Sequence, residues 1–184
     1  IYYKMARQVG NALAKLGFTV MTGGGPGIME AANRGAKEVG GRSVGCNIIL
    51  PVEQRPNPYL DTWVNIDFFF VRKVLLRKYS YAFIVLPGGF GTLDEFFEAA
   101  TLIQTNKVRP FPIVVMGLAY HRSIIEHINY MVKANTISLE DFKRILFTDS
   151  VEEAIEHIRK HITEEFRLKI QSLYKPKKWL REKL

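Results

Sequence analysis

The sequence predicts an α/β fold of the Rossmann-like, doubly wound type, in which helices cover both faces of a parallel sheet. Two observations favour this fold. Short apolar segments of strand length alternate with longer segments of helical periodicity, and the loops between them are short. Two of the strand-to-helix junctions, residues 22–27 and 87–91, are rich in glycine. Because the carboxyl ends of parallel strands meet at one edge of a sheet, we expect both glycine turns to lie at that edge.

The first half of the chain predicts two helix and strand pairs. Apolar residues recur at helical spacing over residues 2–16, and residues 18–22 form a short apolar segment typical of a buried parallel strand. A second helix is predicted over residues 28–39 and a second strand over residues 43–49. A sheet built in strand-helix order would begin with a strand before residue 1, and we expect that strand to be absent from this chain.

The second half continues the alternation after a loop at residues 50–58 that contains three prolines. The predicted elements are a strand at 64–69, a helix at 70–78, a strand at 81–86, a helix from Thr92 to about residue 103, a strand at 112–116, a helix at 120–133, a strand at 145–148 and a long amphipathic helix at 150–173. The spacing of Ser150 and Glu153 predicts a capping box at the start of that last helix.

Composition narrows the class of protein. The chain has 184 residues, of which 47% are hydrophobic, and its apolar runs are far shorter than the ~20 residues of a membrane-spanning helix. Cys46 is the only cysteine, so the chain cannot form an internal disulfide. Its first residues lack the pattern of a secretory signal. We therefore expect a cytoplasmic protein.

The second glycine turn, at residues 87–91, has the chemistry of a phosphate site. A strand that ends in glycines and opens a helix presents bare backbone N–H groups and the positive end of the helix dipole. An alternative is purely structural, since Thr92 and Glu95 have the spacing of a capping box. The first turn, at residues 22–27, repeats the glycine pattern, which favours a ligand over a cap. Neither turn has the spacing of a P-loop or of a dinucleotide fingerprint.

Charged residues near the predicted sheet edge are further candidates. Arg72 and Lys73 fall at the start of a predicted helix, where cations oppose the dipole, and such a placement is typical of ligand contacts. Glu53 lies in the proline-rich loop that leaves a strand's carboxyl end. His157 and His161 are one helical turn apart, but they lack a third ligand at the spacing of a zinc site, so we predict a surface position and no metal.

Three motifs resemble those of the Lonely guy (LOG) family. Residues 87–95 match its P-G-G-x-G-T-x-x-E signature, residues 22–29 match its other glycine turn, and the pair Arg72 and Lys73 falls where the family has an arginine-lysine pair. These enzymes are cytokinin riboside 5'-monophosphate phosphoribohydrolases, long labelled possible lysine decarboxylases. Phe69 and Phe70 replace the Met-His of plant-like members, so the chain resembles a wider bacterial branch.

The resemblance implies hydrolysis of the N-glycosidic bond of AMP or of a cytokinin riboside monophosphate, without a cofactor. It implies that Glu95 acts on the ribose and the attacking water and that Arg72 acts on the base. The implied substrate contacts are Gly23, Gly24, Gly25, Glu53, Lys73, Gly88, Gly89, Gly91, Thr92 and Thr101. A homodimer is also implied, and Phe96, Phe97 and Ile103 supply apolar surface for it.

We therefore expect residues 1–174 to form a single Rossmann-like nucleotide-binding domain and residues 175–184 to form a basic tail. The tail holds much of the net charge of +8. Two alternatives remain open: a carrier resembling the molybdenum cofactor carrier proteins, and, with less support, a nucleic-acid binder resembling the DNA-processing protein A family. The old decarboxylase label has no support in the sequence, because no lysine lies in the setting expected for pyridoxal phosphate.

Overall fold

A computed structural model describes residues 1–50 and 55–165 of the chain. In this part of the chain helices and strands alternate along most of the sequence, as predicted. The helices are α1 (Tyr2–Lys15), α2 (Ile28–Lys37), α3 (Phe69–Lys78), α4 (Phe90–Gln104), α5 (Leu118–Lys133), α6 (Leu139–Lys143) and α7 (Val151–Glu165). The strands are β1 (Val20–Thr22), β2 (Ser43–Ile48), β3 (Thr62–Ile66), β4 (Phe83–Val85), β5 (Ile113–Val115) and β6 (Ile145–Phe147).

The strands form two parallel sheets of three strands each. Their orders are β1-β2-β3 and β4-β5-β6, and every neighbouring pair is parallel. Val20 lies opposite Ser43 in the first sheet, and Phe83 lies opposite Ile113 in the second. The predicted α/β class with parallel strands is confirmed. Within the described residues no strand pairing joins the two sheets.

Side chains of β5 show that helices cover both faces of the second sheet. Val114 and Met116 pack with residues of α1 and α7, including Ala6 and Ile158. Ile113 and Val115 pack instead with residues of α4 and α5, such as Phe96 and Ile128. Because successive residues of a strand point to opposite faces, each face of this sheet has its own helical layer.

Helices α1 and α2 pack with their backbones in close contact. A Cβ at Gly10 would collide with the backbone of Ala32, and a Cβ at Gly35 would collide with the backbone of Arg7. Only glycine leaves room for this approach. The contact fixes α2, whose first residue follows the first glycine turn.

Some elements differ from the sequence prediction. Strand β3 ends at Ile66, and Phe68 is already the N-cap of α3, because the run of three phenylalanines continues into a helix. Helix α6 was not predicted, although its capping box of Ser138 and Asp141 could have signalled it.

The predicted box at α7 forms in part. The Ser150 hydroxyl accepts from the N–H of Glu153 at 3.1 Å, but the Glu153 carboxylate accepts from the Thr148 hydroxyl. The reciprocal bond from the Glu153 side chain to the N-cap backbone is therefore replaced by one to a neighbouring side chain.

Two expectations about exposure are wrong. His157 and His161 are partly buried rather than on the surface, with their rings 4.6 Å apart between centroids. Phe96 and Ile103 are buried in the chain's own core, and only Phe97 of the predicted apolar trio is exposed. The core of this single chain therefore accounts for most of the apolar surface that was assigned to a dimer.

Glu53, the predicted end of the last helix and the basic tail at 175–184 lie outside the described residues. Among the described helices none has the length and apolar content required to cross a membrane.

Candidate functional site

The second glycine turn, residues 87–91, opens α4 without a side-chain cap. Helix α4 begins at Phe90 with Gly89 as its N-cap, and the backbone N–H groups of Thr92 and Leu93 both donate to the Gly89 carbonyl. Thr92 therefore lies inside the helix rather than at its cap. The capping-box alternative for Thr92 and Glu95 is wrong, because the helix starts two residues earlier than predicted. The N–H groups that precede Thr92 at the start of α4 have no carbonyl to bond within the helix, and they carry the positive end of the dipole.

Packing requires a glycine at only one of the three glycine positions in this turn. A Cβ at Gly88 would collide with the side chain of Thr92, which lies over the turn. A Cβ at Gly89 or at Gly91 would meet no atom within 4 Å. Neither has a positive φ. Packing and backbone conformation thus explain Gly88 but leave Gly89 and Gly91 unexplained, and the space beside them is open to a ligand.

A buried polar network holds the first glycine turn, residues 22–27. The side-chain amide of Asn57 donates to the carbonyls of Gly24 and Gly25, each at 3.1 Å, and to Oδ1 of Asn33 at 3.0 Å. Asn33 is fully buried and also accepts from the Thr22 hydroxyl at 2.7 Å. The hydroxyl of Thr22 accepts from the N–H of Gly24. The protein's own side chains therefore hold this turn in place.

Sequence reasoning missed both asparagines of this network. A signal was present for each. Asn33 lies among the alanines and the glycine of residues 31–36, where Arg34 is the other polar residue, and Asn57 stands between two prolines in a segment that cannot form a helix or an inner strand. Neither signal predicts that the two asparagines bond to each other, because they lie 24 positions apart in the sequence.

Arg72 reaches from α3 to the first glycine turn. Its Nε donates to the Cys46 carbonyl at 2.9 Å, and its Nη2 lies 2.5 Å from the position that a Cβ of Gly23 would occupy. The guanidinium thus rests on the bare backbone of Gly23. Burial raises the pKa of Glu95 on α4 and the charge of Arg72 opposes that rise, so Arg72 also acts on the carboxyl that follows the second glycine turn.

Glu95 is half-buried, one helical turn after Gly91. Burial raises the pKa of its carboxyl, and the neighbouring Glu98 and Asp94 add to that rise, while Arg72 and Lys73 oppose it. A carboxylate that is desolvated but stabilised by a cation can hold a positive charge or orient water, which are the roles of such groups in active sites.

Lys73 and Thr101 are bonded within the protein. Lys73 forms ion pairs with Asp94 at 2.9 Å and Glu98 at 3.4 Å, and the hydrogen bond to Asp94 raises the pKa of its ammonium. Thr101 donates to the Phe97 carbonyl at 2.7 Å and lines a cavity of about 270 Å³ between α4, α5 and α6. It follows Gly91 by ten residues in the same helix, about 15 Å along the axis. The structure does not bring Thr101 to the turn.

The described residues contain no group of three or more His, Cys, Asp or Glu side chains placed to hold a metal ion. The polar groups at the site include backbone N–H groups, the Glu95 carboxylate and the Arg72 guanidinium. They suit a ligand with an anionic group at one end and a cationic or hydroxyl-bearing centre near Glu95.

The fold and the site define a Rossmann-type α/β protein with two glycine turns near one arginine. Comparison with known proteins identifies its family. The family model described as "Possible lysine decarboxylase", which covers the LOG family, matches residues 29–158. The chain belongs to this family.

Two curated relatives and one solved structure show how the chain compares within it. The chain is 32% identical over 157 residues to a cytokinin riboside 5'-monophosphate phosphoribohydrolase of Mycobacterium tuberculosis, which covers 83% of this chain and 82% of that protein. It is 26% identical to an enzyme of the same name from Arabidopsis thaliana, over 87% of this chain and 75% of that one. The molybdenum cofactor binding protein of Rippkaea orientalis superimposes with a TM-score of 0.63 at 26% identity, covering 88% of each chain.

Proposed function

We propose that this protein hydrolyses the N-glycosidic bond of a nucleoside 5'-monophosphate and releases the free base and ribose 5-phosphate. The observation that carries the proposal is the half-buried Glu95 beside Arg72, one turn after an uncapped glycine turn with open space. Relatives named as phosphoribohydrolases support it. The substrate is AMP or a cytokinin riboside monophosphate.

Binding of the 5'-phosphate is assigned to the second turn. Backbone N–H groups at Gly88, Gly89 and Gly91 donate to the phosphate oxygens together with the hydroxyl of Thr92, and the dipole of α4 stabilises the charge. The open space beside Gly89 and Gly91 supports this assignment, since any side chain there would occupy it.

Cleavage of the bond is assigned to Glu95 and Arg72. As the bond between base and ribose breaks, its electron pair leaves with the base, and the sugar acquires oxocarbenium character that the Glu95 carboxylate stabilises. Glu95 orients a water molecule toward C1' of the ribose and accepts its proton. The water oxygen forms the new bond to C1', which gives ribose 5-phosphate. Arg72 stabilises the charge on the departing base until the base takes up one proton from solvent, and Glu95 returns the proton of the attacking water to solvent. Water is the only co-reactant, so the reaction as proposed uses no cofactor.

Other predicted contacts remain proposals. Gly23, Gly24 and Gly25 form the second wall of the site, and Arg72 lies against Gly23. Lys73 sets the distance between α3 and α4 through its two ion pairs. Glu53, outside the described residues, and Thr101 are kept as substrate contacts on the family resemblance alone.

The test is to incubate the protein with a panel of nucleoside monophosphates and with the corresponding nucleosides, and to measure free base by chromatography. We expect release from at least one monophosphate and none above background from its nucleoside. Arg72→Ala should lose turnover, whereas Arg77→Ala on the same helix should retain it. Monophosphates that bind without any release of base would contradict the proposal.

A carrier function is the second candidate, favoured by the similarity to the molybdenum cofactor binding protein. A carrier has no need for a carboxylate beside a guanidinium. If the panel shows binding without turnover, this candidate replaces the hydrolase. The nucleic-acid alternative depends on the basic tail, which lies outside the described residues.

We also propose a homodimer that covers the exposed face of α3. Helix α3 has no buried residue, and Phe68, Phe69 and Phe70 are 62%, 55% and 68% exposed. An apolar patch of this kind is typical of an interface between subunits. Light scattering should give a dimer, and Phe70→Asp should shift it to the monomer.

The single buried cysteine, Cys46, is in keeping with a cytoplasmic protein.

A further inference from the structure

One tyrosine outside the proposed reaction contacts the second glycine turn. Tyr120 is the third residue of α5, and its hydroxyl donates a hydrogen bond of 2.8 Å to the carbonyl oxygen of Gly88. We propose that Tyr120 is a positioning residue: it fixes the peptide between Gly88 and Gly89 and so aims the Gly89 N–H at the phosphate. This inference rests on the proposed phosphate site.

Peptide geometry links the hydrogen bond from Tyr120 to the direction of the Gly89 N–H. In a trans peptide the C=O of one residue and the N–H of the next point in opposite directions, and the described residues contain no cis peptide. A hydrogen bond that holds the Gly88 oxygen toward α5 therefore turns the Gly89 N–H away from α5. Gly89 is also the N-cap of α4, next to open space, so its N–H is available to a ligand.

The turn needs such a constraint because it contains two consecutive glycines. Without side chains, glycine residues rotate with little steric penalty, and the peptide between them can take several orientations. The hydrogen bond from Tyr120 favours one orientation before the ligand arrives, which lowers the entropy that binding must overcome. It also polarises the peptide and makes the N–H a stronger donor.

The fold holds Tyr120 in place independently of any ligand. Asp149 accepts hydrogen bonds from the N–H groups of Gly117 and Leu118, at 2.6 and 3.0 Å, and so fixes the start of α5. A Cβ at Gly117 would lie 2.6 Å from the ring of Pro87, so α5 begins in direct contact with the glycine turn. The Tyr120 ring makes an edge contact with Tyr2 of α1 at 6.4 Å between centroids.

The test compares Tyr120→Phe with Tyr130→Phe, an exposed tyrosine on the same helix that serves as the matched control. Dissociation constants for AMP and adenosine are measured by calorimetry. We expect Tyr120→Phe to weaken AMP binding about 5-fold, within the range of one lost hydrogen bond, and to leave adenosine binding unchanged. KM for the monophosphate should rise by a similar factor with kcat nearly constant. Tyr130→Phe should match the wild type in each measurement.

A second measurement needs neither ligand nor turnover. In the unliganded protein, the Gly89 amide signal in a ¹⁵N spectrum should shift and broaden in Tyr120→Phe and stay unchanged in Tyr130→Phe. An unchanged Gly89 signal, or AMP and adenosine binding weakened equally, would overturn the inference. A wild type that binds AMP but releases no base would overturn the proposed hydrolysis alone.

Discussion

The two glycine turns follow the same strand-to-helix plan, but the protein stabilises them differently. The first turn is held by a buried side-chain network, in which Asn57 donates to two of its carbonyls, and its backbone has a positive φ at Gly24 and Gly27. The second turn contacts the side chains of Thr92 and Tyr120, and its glycines Gly89 and Gly91 border open space. Glycine content alone therefore does not identify the ligand-binding element. The informative glycines are those that neither packing nor backbone conformation requires.

Arg72 links the first turn to the helix that follows the second. Its guanidinium lies on Gly23 of the first turn, and its charge acts on Glu95, which follows the second. The Cys46 carbonyl of β2 holds the arginine beside the first turn, while the second turn and α4 carry the groups assigned to the substrate. The following predictions test this division, beginning with the largest expected effect.

Glu95→Gln should lower turnover by about 100-fold or more, because the amide cannot stabilise a cationic sugar or accept a proton from water. The melting temperature should not fall, since Glu95 is not part of a cap and burial opposes its charge. Kinetic assays and thermal unfolding measure the two quantities. As the control, Glu126→Gln at an exposed position of α5 should keep turnover within about two-fold. Full activity together with lower stability in Glu95→Gln would assign Glu95 a structural role only.

Asn57→Ala should reduce the free energy of unfolding by about 1–3 kcal/mol, because it leaves buried carbonyls and Asn33 with fewer partners. Urea unfolding measures the change. Asn129→Ala is the control, since that exposed amide donates to the Ile125 carbonyl of its own helix, and its effect should stay within about 0.5 kcal/mol. Equal effects of the two variants would show that the first turn does not depend on its network.

Gly88→Ala and Gly89→Ala separate packing from ligand space within the second turn. The Gly88 variant should lose about 1–3 kcal/mol of stability, because its methyl group collides with Thr92. The Gly89 variant should lose less than about 1 kcal/mol, as expected for a changed N-cap. It should nevertheless weaken AMP binding, on the order of 10-fold, since the methyl group enters the open space. Unaltered AMP affinity in Gly89→Ala would show that the phosphate does not bind beside Gly89.

The smallest expected effect is on pH dependence. Burial raises the pKa of Glu95, so its carboxylate takes up a proton at a higher pH than an ordinary glutamate does. On acidification, the activity that depends on the carboxylate should therefore be lost at that higher pH. The folded state then binds this proton more tightly than the unfolded state, so the contribution of Glu95 to stability falls as the pH rises from the ordinary to the raised pKa. Profiles of kcat/KM against pH measure the first effect. In Arg72→Gln, the carboxyl pKa of Glu95 measured by ¹³C NMR should rise further, and an unchanged value would place Arg72 too far away to act on it.

Much of the fold and the family could be predicted from the sequence because the relevant signals are local. Hydrophobic periodicity indicates helices such as α1 and α5, and apolar runs indicate strands such as β2 and β5. The glycine turns and the arginine-lysine pair are contiguous motifs, so their residues are visible without any tertiary structure. Local signals determine helix starts less closely. Thr92 has the spacing of a helix cap, but Gly89 is the N-cap of α4.

What the sequence by itself determined is therefore the alternation of strands and helices, the two glycine turns and the residue types beside them. Only the tertiary structure decided which groups those residues meet. Asn33 and Asn57 become one network, Lys73 is paired with two carboxylates, and Tyr120 reaches Gly88 from 32 positions away. The physical reason is that these contacts are made across neighbouring elements of the fold. The burial that raises the pKa of Glu95 and the open space beside Gly89 are likewise properties of the packed chain and not of any one segment.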